Sequence, residues 1–87
     1  MNREKVYERL DGERDYQDIK WNSPNNKGSL DRTVDEFATY IQHYSNHLIN
    51  VAAMTDNDKE KLEVIRKIGA LAVACGEAHG LPERENG

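Results

Sequence analysis

Apolar residues recur at intervals of three and four along most of this chain, the spacing that lines one face of an α-helix. The clearest run is Val34, Phe37, Ala38, Ile41, Tyr44, Leu48, Val51 and Ala52, with Asp35, Thr39, Gln42, His43, Asn46 and Asn50 on the other face. It predicts a long amphipathic helix ending near Met54. Thr33-Val34-Asp35-Glu36 ahead of it matches a capping box, in which hydroxyl and carboxylate satisfy free backbone donors, and Ser29 or Asp31 offers a slightly earlier start. A second run, Leu62, Ile65, Ile68, Ala72 and Cys75, flanked by Val64, Leu71 and Ala78, predicts another helix. Thr55-Asp56-Asn57-Asp58 leads into it, Asp58 and Glu60 favour its positive end, and Gly80-Leu81-Pro82 stops it.

Upstream the pattern is weaker. Asn2 as a cap and Val6 with Leu10 on one face predict a short helix to about Leu10, Asp11-Gly12 a stop, and Glu13 to Asp18 a resumption carrying Tyr16. From Trp21 to Gly28 regularity breaks: Pro24 pushes Ser23 toward extended geometry, and Asn26 and Gly28 tolerate left-handed backbone. The expected architecture is all-α and a single domain. It has an N-terminal helical segment (1–18), a shaped loop (19–30), an antiparallel αα-hairpin (31–80) with arms of about 30 Å each, and a loose tail (81–87).

Length changes this picture. At 87 residues the chain lies near the size at which one core supplies only about 3–5 kcal/mol. Its single cysteine cannot form an internal disulfide, and no Cys/His cluster has zinc-ligand spacing. Self-association is the remaining aid, and the small residues of Gly69 to Gly76 would permit close helix approach. A compact homo-oligomer of hairpins is therefore expected, with a monomeric three-helix fold as the alternative. The net charge of −4 argues against a broad DNA-binding surface. The charged N-terminus lacks an apolar core of the signal-peptide kind, no apolar run is long enough to span a bilayer, and the lone thiol suits the cytosol.

Catalytic signals are sparse. Glu60 and Glu63 form an ExxE pair like the Mg²⁺-binding pair of MazG-type all-α nucleotide pyrophosphohydrolases, but no second acidic pair follows on a later helix. Such a pair on a helix is most often just a solvated face. His43 and His47, four apart, lack an obvious third ligand, and Cys75 sits in an apolar stretch without a base. No catalytic or metal-ligating residue and no cofactor is assigned. Binding signals are denser. Tyr7, Tyr16 and Trp21 share a region with Lys5, Arg14, Lys20 and Lys27, pairing aromatic faces for bases with cations for phosphates. Gln17, Asn22, Asn25, Asn26 and Ser29 add neutral polar groups, and Arg66-Lys67 is a cationic step in the second long helix. The same aromatics would serve equally as anchors of the first helix, with Trp21 expected to pack.

ERDYQDIKW (13–21), the Asn-Lys-Gly-Ser loop (26–29), the two-helix segment, IRKIGALAV (65–73) and HGLPER (79–84), in that order, resemble the phage anti-CBASS cyclic-oligonucleotide sponge, which shares its hairpin domain with the anti-Thoeris sponge. The resemblance implies a helical homohexamer in the cytoplasm of an infected bacterium, sequestering cyclic nucleotide immune signals without cleaving them. It implies a cyclic dinucleotide pocket between protomers, for ligands such as 3',3'-cGAMP, where Tyr16 stacks a base and Lys27 meets a phosphate, with Tyr7 and Lys20 as competing matches. It also implies a cyclic trinucleotide pocket using Gln17, Ser29 and Arg66. A small MazG-like pyrophosphohydrolase and a helical adaptor are the alternatives.

Overall fold

The computed structural model describes residues 1–22, 24 and 27–85. Three α-helices and one 3₁₀ turn account for its regular structure: α1 (Arg3–Trp21), the turn Ser29–Asp31, α2 (Val34–Met54) and α3 (Asp58–His79). Among the described residues there is no strand, and no helix is long and apolar enough to cross a membrane. The expectations for Ser23, Asn25 and Asn26, and for the end of the tail at Asn86 and Gly87, lie outside the described residues.

The helix starts are set locally. Asn2 Oδ1 accepts from Lys5 N–H at 2.9 Å, and Asn57 Oδ1 accepts from Lys59 N–H at 3.0 Å. Thr33 and Glu36 form the complete capping box: Thr33 Oγ1 accepts from Glu36 N–H, and Glu36 Oε1 accepts from Thr33 N–H. At the far end of α3 the Gly80 N–H still donates to the Gly76 carbonyl, and φ then turns to +84°, a value that favours glycine. Leu81 folds back over Gly76, whose absent Cβ leaves the room.

The first helix departs from expectation. It runs unbroken through Asp11-Gly12 to Trp21, so the short helix, the stop and the boundary at residue 18 are corrected to one 19-residue helix. The reason is tertiary. A glycine inside a helix costs about 1 kcal/mol, whereas Glu13, Arg14 and Gln17 just beyond it are buried against α3 and hold that segment helical. Nothing lies within 4 Å of the space a Gly12 side chain would fill. Gly12→Ala should therefore raise stability by about 0.5–1 kcal/mol, read as a higher midpoint in thermal unfolding.

α2 and α3 are joined by three residues and pack on one another, and α1 packs along α3. The core is small. Phe37, Leu71 and Ala74 form its centre, with Trp21, Tyr40, Ile41, Tyr44, Cys75 and Ala78 around them. Trp21 thus packs, its ring 5.6 Å from that of Tyr40, and the Arg32 guanidinium lies 4.5 Å over it. The face of α3 that is fully buried, Val64, Ala70, Leu71 and Ala74, is rotated from the expected stripe. Leu62, Ile65 and Ala72 of that stripe remain exposed.

Candidate ligand-binding site

The second half of α1 carries chemistry on two sides. Its inner side is a polar seam against α3. Arg14, only 4% exposed, donates from Nε to Glu77 Oε1 at 2.8 Å and from Nη1 to Asp18 Oδ1 at 2.7 Å. Ser29 Oγ donates to the same Asp18 oxygen at 2.7 Å, and Ser29 N–H donates to Asn22 Oδ1. These contacts clamp the 3₁₀ turn onto the end of α1. The Ser29 hydroxyl, more than the Arg14 guanidinium, holds the Asp18 carboxyl below its usual range. A cavity of about 240 Å³ lies here, bordered by Arg14, Asp18, Asp31 and Glu77 among others. With one cation against three carboxylates, it does not suit a phosphate.

The outer side is different. Tyr16 is 55% exposed, and the Lys67 ammonium of α3 stands 6.0 Å from its ring centre. Lys20, one turn beyond Tyr16 on the same helix face, is exposed as well. An open aromatic face with two nearby cations is what a purine or pyrimidine next to a phosphate requires. Tyr7, nine residues earlier, lies about 180° around α1 from Tyr16. The two tyrosines cannot hold one base between them within a single chain.

The remaining candidates are dispersed. Lys27 pairs with Glu36 in the first turn of α2 at 3.0 Å, which keeps the Glu36 carboxyl below its ordinary range. Arg66 Nε donates to buried Glu13 Oε1 at 2.7 Å. Gln17 is buried, with Nε2 donating to the Lys67 carbonyl at 3.5 Å and Oε1 left without a partner. Gln17, Ser29 and Arg66 thus each make contacts inside this chain, and among the hydrogen bonds of the described residues none joins any two of them.

Comparison with known proteins finds no matching family, no matching curated relative and no matching solved structure. Glu60 and Glu63 are exposed, and among the described residues no group of three His, Cys, Asp or Glu side chains could hold a metal ion. His43 is exposed with its ring edge-on to Tyr44, and Cys75 borders the core. Lys67 is the group that sequence reasoning did not single out as a partner for Tyr16. Its only signal was membership of the Arg66-Lys67 step, 51 positions away, and only the packing of α1 on α3 joins the two.

Proposed function

We propose that this protein is a non-enzymatic binder that sequesters cyclic dinucleotides of the 3',3'-cGAMP class and so blocks CBASS-type signalling during phage infection. α2 and α3 act as a helical hairpin that assembles several copies, six being the number the family resemblance implies, in the host cytoplasm. The single observation that carries the reading is Tyr16, half open to solvent with the Lys67 ammonium 6.0 Å from its ring. Tyr16 stacks a base, while Lys67 and Lys20 attract the phosphates. Lys27, from the same or a neighbouring copy, exchanges Glu36 for a phosphate oxygen when ligand is present.

Binding of cyclic trinucleotides through Gln17, Ser29 and Arg66 would require these side chains to leave the Lys67 carbonyl, Asp18 and Glu13. The dinucleotide is therefore the ligand proposed first.

The test is retention and recovery. The protein is incubated with a panel of cyclic di- and trinucleotides, freed of excess, heat-denatured, and the released ligand is chromatographed. Intact cyclic dinucleotide is expected. Tyr16→Ala should weaken binding by roughly 5- to 150-fold, the worth of about 1–3 kcal/mol of stacking, and Lys67→Ala should weaken it most at low salt. Tyr7→Ala should leave it unchanged. Absence of retention would defeat the proposal. Mg²⁺-dependent hydrolysis lost in Glu60→Gln and Glu63→Gln would move the protein to the pyrophosphohydrolases.

A further inference from the structure

An apolar groove of about 640 Å³ runs between the first halves of α1 and α3, floored by Val6, Leu10, Leu62, Ile65 and Gly69. Leu10 rests directly on the bare Gly69 backbone, so the two helices approach closely at one end of the groove and leave its sides open. Val6, Leu62 and Ile65 are 42%, 59% and 48% exposed, unusually open for residues on facing helix stripes. Arg9, Lys59 and Glu63 stand at its rim, with Arg66 already paired to Glu13. The rim is net positive on a chain that is net negative.

A second exposed apolar patch lies at the end of α2. The last turns of α2 expose Ile49, Ala52, Ala53 and Met54, and exposed Asp56 and Asp58 follow at once. This is an apolar knob with an acidic edge, where Asp58 lies 3.4 Å from Lys61 of its own helix and Asp56 is exposed, and its charge is opposite to that of the groove's basic edge.

Area supports a second copy as the occupant. The chain exposes 6766 Å², against about 5,200 Å² for a compact monomer of its mass. The excess of about 1,500 Å² is close to two standard interface halves of about 800 Å² each. Its radius of gyration of 14.2 Å likewise exceeds the roughly 12 Å of a compact domain this long.

We infer that the α1/α3 groove receives the C-terminal end of α2 and the following acidic residues from a second copy of this chain, head to tail. A groove-to-groove dimer would set basic rim against basic rim, which the heterologous contact avoids. Each copy then has one groove and one knob, and repetition closes a ring when the rotation per subunit permits. The inference names the contact behind the assembly in the proposed function and does not depend on the ligand.

Charge reversal tests it. Arg9→Glu with Lys59→Glu inverts the groove, and Asp56→Lys with Asp58→Lys inverts the knob. Light scattering at tens of micromolar protein should find the unaltered chain larger than a monomer. Each variant alone should be monomeric with helical circular dichroism retained, and an equimolar mixture should regain the larger size, because inverted groove then meets inverted knob. A monomeric unaltered chain would overturn the inference, as would folded variants that keep their assembly size or a mixture that stays monomeric. Ligand retention reads out separately: an assembly that binds no cyclic nucleotide removes the function and keeps the contact, and a monomer that binds one does the reverse.

Discussion

Phe37→Ala is expected to cost about 3–5 kcal/mol, close to the whole stability that a domain of this size holds. Phe37 is 1% exposed and, with Leu71 and Ala74, forms the centre of the core. Among the described residues, Val64 and Leu71 are the only other buried apolar residues larger than alanine. Little else can close over the void. Trp21, Tyr40 and Tyr44 border the same centre and the His79 ring meets Phe37 edge-on, so the loss would reach α1, α2 and α3 together. Urea unfolding followed by circular dichroism should show the midpoint falling to near zero denaturant. Val34→Ala, at an exposed site on the same helix, should shift stability by no more than about 0.5 kcal/mol. Equal effects at the two positions would mean that the core is elsewhere.

Arg14→Met should be the next most costly change, at about 2–3 kcal/mol. Its guanidinium is almost fully buried and answers both Asp18 and Glu77. Methionine would fill the volume yet leave the two carboxylates facing each other without a cation. The loss stays below the 3–5 kcal/mol of a fully buried broken pair because both carboxylates are 43% exposed and water screens them. The pH dependence has a defined sign. Asp18 has a lowered folded-state pKa, so its contribution is full above the ordinary carboxylate range and is lost as pH falls through the folded value, below about 4. The gap between unaltered protein and Arg14→Met should therefore narrow in acid, as measured by thermal midpoints at pH 7 and pH 3. Ser29→Ala should weaken the acid dependence too, since the Ser29 hydroxyl is the larger cause of the Asp18 shift.

The burial of Arg14 alters what its region means. Read along the chain, Arg14 is one of four cations among aromatic residues, each equally suited to a phosphate. Packed against α3 it is committed to Asp18 and Glu77, as Arg66 is to Glu13 and Lys27 to Glu36. Lys67, beside Tyr16, becomes the ammonium best placed for a ligand on that face. The proposed binding face thus rests on which cations the fold leaves beside an open aromatic ring.

The starts and stops of α2 and α3 were legible because they are made by residues a few positions apart. Thr33 and Glu36 satisfy each other's backbone, Asn57 caps its own helix, and Gly80 is the position where φ turns positive. Such contacts form whatever the rest of the chain does. The course of α1 was not legible, because local preference at Gly12 and the burial of Glu13, Arg14 and Gln17 oppose each other, and only α3 decides between them. The same holds for the buried face of α3. Periodicity shows that a helix has an apolar side, but with α1 on one flank and α2 on another, Val64, Ala70, Leu71 and Ala74 lie between neighbours while Leu62 and Ile65 open onto a groove. By itself the sequence determined an all-helical chain, the ends of two of its helices and a region rich in aromatic and cationic groups. Tertiary structure decided which of those groups are spent on one another and which still face outward, since that depends on contacts more than fifty positions apart.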